Sequence, residues 1–276
     1  IWVPVTEEIP LMRSNQYAGG VNYEIMKGLE VSVEGYYKTM DNVLEYNNGA
    51  SWLNCTGDWQ SLVSLGKGRS YGVELMDQRS VGNTTGWVSY TWAKSLRTFD
   101  RPGQELNGGR EFLAGNDKRH NFNIVVVQRL GQHWKLSASW TYQSGRRGIL
   151  ANTSMYGGVL QEWDPSFRPE SSTFKEQEYM QNRDDAAHWA EMPGMFVTYR
   201  ERNNYKLPDV HHLDVGITYS VSHRGFGASE VNLSFYNLYN QQNINSVYIG
   251  KNENKYVLKG ICMFPFMPSL TYTLKF

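Results

Sequence analysis

Nowhere does the chain hold a run of eighteen consecutive apolar residues, so it has no transmembrane helix. A mean hydropathy of −0.54 with 40% hydrophobic residues likewise argues against a helical membrane protein. Cysteine is scarce: Cys55 and Cys262 are too few for a disulfide scaffold and read as free thiols rather than a pair. A charge excess is also missing, because 27 basic residues balance 27 acidic ones, and nothing in the net charge points to nucleic acid as a partner. No signal sequence precedes Ile1, so the sequence reads as a mature form or as a piece of a longer protein.

Aromatic residues, by contrast, are plentiful. They make up 14% of the chain, with 18 Tyr and 9 Trp, which is high for a soluble domain and natural for a membrane barrel with two interfacial girdles. The last eight residues, Ser269-Leu270-Thr271-Tyr272-Thr273-Leu274-Lys275-Phe276, alternate polar and apolar without an error. Such a strand has one face for lipid and one for water. About nine segments carry this period, at 17–24, 29–34, 71–75, 88–92, 122–126, 133–142, 212–219, 231–235 and 269–276. The expected fold is therefore all-β, a transmembrane antiparallel barrel. Trp134 to Tyr142 spans about 26 Å along a strand, or near 20 Å vertically at a tilt of about 40°, close to the height of an apolar band. Trp134, Trp140, Tyr142, Tyr272 and Phe276 are the expected membrane girdle.

Connections between these segments sort by parity. Those at 26–28, 80–84, 130–132 and 222–227 are short, and those at 47–67, 95–117, 146–208 and 240–255 are long. Outer-membrane barrels place short turns in the periplasm and long loops outside the cell, whereas a sandwich has no reason to sort its loops. Nine is odd, while bacterial single-chain barrels have even strand numbers, so residues 1–276 are expected to be the C-terminal part of a larger barrel.

Several segments, in order along nearly the whole chain, resemble the TonB-dependent outer-membrane receptors, in particular those of Bacteroidetes. They are Leu29-Glu30-Val31-Ser32-Val33-Glu34-Gly35-Tyr36-Tyr37-Lys38, Tyr71-Gly72-Val73-Glu74-Leu75, Ser89-Tyr90-Thr91-Trp92-Ala93-Lys94-Ser95, Asn116-Asp117-Lys118-Arg119-His120-Asn121, Trp140-Thr141-Tyr142-Gln143-Ser144-Gly145, Leu233-Ser234-Phe235-Tyr236-Asn237-Leu238-Tyr239-Asn240 and Phe264-Pro265-Phe266-Met267-Pro268-Ser269-Leu270. The resemblance implies a barrel of twenty-two strands around an N-terminal plug, of which this chain would hold roughly the last nine. It further implies nutrient capture at the cell surface and import driven through TonB. The implied partners are TonB, the plug and rest of the barrel, and outer-membrane lipid. Whether a surface lipoprotein caps the barrel stays open, as does the nutrient.

Segment 146–208 is the expected specificity loop. A connection of that length without structure of its own is unusual unless functional or disordered, and its aromatics argue against plain disorder. Trp163, Trp189 and Tyr156, with Trp52 and Trp59 from 47–67, are the candidate substrate contacts, by stacking on a glycan, an aromatic peptide or a porphyrin-like ring. Packing of these rings against neighbouring loops is the competing reading. Metal and cofactor chemistry is not expected: alternation puts His211 on the lipid-side face and His212 with Asp214 on the lumen side, so adjacent histidines cannot share an ion. His212 with Asp214 reads as a structural rim contact, or else a proton-handling dyad. The rim sequence Asp117-Lys118-Arg119-His120 is expected to form ion pairs. An outer-membrane protease or phospholipase drafting His212, Asp214 and Ser220 is the rival class, and a passive porin a third. The enzyme reading is weak because Ser220 falls near the opposite end of the strand.

Overall fold

In the computed structural model of the protein, residues 3–47, 58–149, 153–156, 159–162, 196–198, 201–223, 227–252 and 255–276 are described. Nine long strands form one antiparallel sheet in which each pairs with the next: β1 (Arg13–Met26), β2 (Leu29–Tyr46), β3 (Val63–Arg79), β4 (Thr84–Thr98), β5 (His120–Leu130), β6 (Trp134–Gln143), β7 (Val210–His223), β8 (Gly227–Tyr236) and β9 (Met267–Lys275). All nine alternating segments of the sequence coincide with them, two overrunning by a single residue, His133 before β6 and Phe276 after β9. In such a meander, successive connections lie at opposite ends of the sheet, so the short turns share one end and the long connections the other. Gly28 (φ +75°) and Gly131 (φ +65°) supply the left-handed backbone of two short turns.

Register turns nine local patterns into one surface. Directly opposed residues share a face. Along one path, Val21 opposes Val33, Val33 opposes Leu75, Leu75 opposes Tyr90, Tyr90 opposes Phe122 and Phe122 opposes Tyr142. Trp140 opposes Leu213, Ile217 opposes Leu233 and Leu233 opposes Leu270. This face is apolar from β1 to β9 and exposed, with Tyr17 and Val21 each 71% accessible and Leu270 73%. The other face runs through Asn22, Ser32, Met76, Ser89, Asn123, Thr141, His212, Asp214, Asn232 and Thr271 and is mostly polar. Slipping a single strand by one residue would exchange its two faces, so the apolar face pins the register.

Five strands exceed the nine to eleven residues that cross a bilayer, β2, β3 and β4 by the most. β2 has 18 residues, β3 has 17 and β4 has 15. Pairing therefore continues to Tyr46 at the edge of the expected loop 47–67, and to Val63 and Thr98 inside the stretches that alternation alone assigns to the loops at 47–67 and 95–117. Beyond the membrane neither face has to be greasy, so the two-residue period fades while backbone pairing persists. On the polar side of this extension Met40, Val43, Phe99, Leu106 and Phe112 form a small buried core. Phe99 is fully buried, and its ring occupies the space where a Cβ on Gly66 would lie, 2.5 Å from that position. The 146–208 connection is not structureless in its described residues: Thr153–Tyr156 pairs with Val159–Glu162 and Phe196–Thr198, and Arg147–Gly148 pairs with Tyr205–Lys206. Within the connection before β9, Ile244–Asn252 and Lys255–Cys262 form a hairpin of their own. Cys262 is an exposed free thiol.

Candidate functional site

At the long-connection end, the polar face meets loop residues that close over it. Asn237 ends β8 in a left-handed conformation (φ +51°) that Asn tolerates better than most residues. Fully buried, its amide donates to Gln241 O (2.9 Å) and Phe264 O (3.3 Å) and its carbonyl accepts from Gln241 N (2.9 Å). Its own N–H donates to Asp214 Oδ1 at 2.9 Å. Asn240, also left-handed, accepts from Phe266 N (2.9 Å), and Asn243 pairs its amide with both backbone groups of His211. The Asn-rich turn thus ties the entry of β7 and the exit of β8 to the chain entering β9.

Beneath that turn lies a cavity of about 220 Å³. Its polar lining includes Lys118, Gln143, Arg146 and His212; Tyr236, Met263 and Phe264 contribute apolar surface. His212 Nε2 lies 3.4 Å from Asp214 Oδ2, and its ring centroid is 4.9 Å from that of Tyr236. Asp214 also accepts from Ser139 Oγ (3.4 Å) and from Asn237 N, so it orients the ring and anchors the turn together. This is the rim contact that alternation anticipated. Ser220 does not join it. Eight positions along β7 separate the serine from His212, about 26 Å, and its backbone pairs with His133 at the short-turn end.

A second cavity, of about 340 Å³, lies where residues 201–204 pack on the connection between β4 and β5. Lys94, Arg110, Arg119, Arg147 and Arg202 line it with Glu111 and Glu201. Arg202 is buried, with Glu45 Oε1 at 3.6 Å, Tyr46 O at 2.6 Å and the Phe112 ring 5.9 Å beneath its guanidinium. Asn203 donates to Leu113 O at 2.7 Å. The long connection therefore reaches back across the rim to the loop between β4 and β5. Arg119 pairs with Asp117 at 3.1 Å, as the rim sequence suggests, whereas Lys118 donates to Gln143 Oε1 at 2.6 Å and His120 Nδ1 meets the Tyr90 hydroxyl at 2.8 Å.

Asp209, just before β7, accepts from Lys206 Nζ (2.7 Å), Tyr142 Oη (2.7 Å) and Gly145 N (2.8 Å). The Lys206 ammonium above all, then the Tyr142 hydroxyl and Gly145 amide, hold its carboxyl well below the ordinary 3.8, at about 2, against the opposing pull of partial burial. Sequence reading passed over this cluster and Arg202. Lysine three residues before Asp209 was the available signal, but nothing local shows that Tyr142 and Gly145 arrive at the same carboxylate.

The expected substrate contacts are not brought together in the described residues. Trp52, Trp163 and Trp189 lie outside them; Tyr156 is in the strand Thr153–Tyr156; half-buried Trp59 opens a short 3-10 helix, Trp59–Leu62, capped by Asp58. Trp134, Trp140, Tyr142 and Tyr272 all share the apolar face, and Phe276 follows β9 on the same parity. Trp134 lies tilted against Tyr219 (4.7 Å) at the short-turn end, while Trp140, Tyr142 and Phe122 cluster at 5.7–6.2 Å toward the other. Tyr239 Oη receives the Trp140 indole N–H at 3.3 Å and meets His211 Nδ1 at 2.8 Å. Among the described residues no group of three or more His, Cys, Asp or Glu could hold a metal.

Compared with known protein families, the chain matches the one described as TonB dependent receptor-like, beta-barrel, over residues 10–240. No curated protein matches it.

Proposed function

The chain belongs to the TonB-dependent receptor β-barrel family, and from that premise we propose that its sheet is wall of an outer-membrane transporter that captures a nutrient at the cell surface and releases it to the periplasm. The observation that carries this is the apolar face continuous in register across nine strands, set against a polar face that meets a cluster of loops. Apolar residues on the outside and polar ones within are what a barrel between lipid and a wet lumen requires. Further strands, pairing the outer edges of β1 and β9, would close the wall, since unpaired backbone groups cannot face lipid. A lumen that wide is filled by a plug, and the outer membrane holds no nucleotide pool or ion gradient of its own. Work must come from the inner side, through TonB.

Nutrient capture is assigned to the long connections, on the cell-surface side. Trp163, Trp189 and Tyr156, with Trp52 and Trp59, supply stacking surface there. Replacing Trp163 and Trp189 by alanine should weaken nutrient binding by about 1 kcal/mol or more each and leave barrel insertion intact, which heat-modifiability checks. The transporter reading is tested by uptake in cells that carry the receptor with and without functional TonB. Receptor-dependent uptake that persists without TonB would instead indicate a passive porin.

A further inference from the structure

We propose that the rim cavity under the Asn237 turn is a subsite for the carboxylate-bearing end of an amphipathic ligand: a carboxylate, a neighbouring N–H and an apolar side chain, as on the C-terminal residue of a peptide. The proposal rests on the transporter reading, since it supposes ligand reaching the luminal face. Two cations line the cavity and no carboxylate does. Lys118 and Arg146 are engaged only by neutral oxygens, Gln143 Oε1 at 2.6 Å and Asn245 O at 2.7 Å, and neither has an ion-pair partner among the described residues. An anion entering here meets charge that no described residue neutralises.

His212 supplies the second element. Its Nδ1 is buried without a hydrogen-bond partner among the described residues, while Nε2 faces Asp214. With the proton on the Nε2 side, held toward Asp214, Nδ1 is an acceptor that a ligand N–H satisfies; left empty, it is a buried polar atom that has lost its water. The third element is apolar. Phe264 stands edge-on to Tyr236 at 6.4 Å, yet it is 54% exposed and Met263 47% exposed, on the side of the wall that lipid does not cover. At about 220 Å³ the cavity is smaller than the 300 Å³ or more usual for a whole ligand and suits one residue-sized end.

The test uses N-acetylphenylalanine, its uncharged C-terminal amide, and phenylpropionate, which keeps the carboxylate and ring but lacks the N–H. Affinities come from saturation-transfer NMR on the intact receptor in detergent, with heat-modifiability confirming the fold of each variant. The acid should bind about tenfold tighter than its amide and several-fold tighter than phenylpropionate. Lys118→Gln with Arg146→Gln should abolish the first preference, and His212→Phe the second. Equal binding of acid and amide by the wild-type receptor, or no saturation transfer to any of the three, overturns the subsite without any variant being needed. TonB-dependent uptake measured on the same receptor separates the two readings: it would survive failure of the subsite, whereas loss of TonB dependence beside intact probe discrimination would remove the transporter reading alone.

Discussion

Single side chains fix the rim. Asn237 combines a left-handed backbone with three side-chain hydrogen bonds inside a fully buried site. Asn237→Ala should cost about 3 kcal/mol, from orphaned backbone groups plus the strain of a Cβ without a local hydrogen bond at positive φ. Asn237→Gly should cost less, because glycine keeps the backbone and loses only the bonds; urea unfolding in lipid vesicles ranks the two. Asp209 makes a pH-dependent prediction. Its carboxyl is held at about 2 in the folded protein against 3.8 ordinarily, so its contribution is fully present above about pH 4 and is lost as pH falls through 2. The carboxylate is one-third exposed, and screening reduces the contribution to about 1 kcal/mol. Asp209→Asn should therefore be less stable than wild type at pH 7, and the difference should shrink toward zero as pH falls to 2 and below, as unfolding curves across that range would show. A constant difference throughout would mean that packing, not charge, holds Asp209.

Among the strands, the two faces predict opposite tolerances. Val126 and Asn123 lie three residues apart on β5, one on the apolar face opposite Ala138 and the other opposite Thr141 on the polar face. Val126→Arg should destabilise the inserted barrel by about 2–4 kcal/mol if it sits near the bilayer midplane, whereas Asn123→Arg should change little. Outer-membrane abundance and heat-modifiability of the two variants check this, and equal tolerance would contradict the assignment of faces. On β9, Tyr272 opposes Val231 on the apolar face and shares a hydrogen bond with Ser229 at 3.1 Å. Tyr272→Asp should lower the amount of receptor in the outer membrane. Alternation found all nine strands because lipid on one side and water on the other impose the period along each of them. It lost the upper parts of β2, β3 and β4 for the same reason, since above the membrane neither solvent demands it.

Taken whole, the sheet is open. β1 and β9 each present one row of backbone groups with no partner in the sheet, and every residue of both strands is exposed. Unpaired strand edges recruit other strands. These 276 residues expressed alone in lipid vesicles should therefore fail to give a heat-modifiable monomer and should associate through their edges, as gel mobility and cross-linking would report. A stable inserted monomer would show that the two edges find each other.

The sequence by itself determined the strand type, the number of long strands, the side of each residue within the alternating segments and the sorting of connections into short and long, all of which follow from a two-residue period and from local turn chemistry. It also placed His212 beside Asp214 on the polar face, two positions apart on one strand. Only the tertiary structure decided that Lys118, Arg146, Tyr236 and Phe264 line one cavity with that histidine, that Arg202 reaches Glu45 across the rim, and that Tyr142 and Gly145 converge on Asp209. The physical reason is range. Alternation is written between adjacent residues by the solvent on either side, whereas these contacts join positions tens to more than a hundred residues apart, set by register and by how the connections fold back over the sheet.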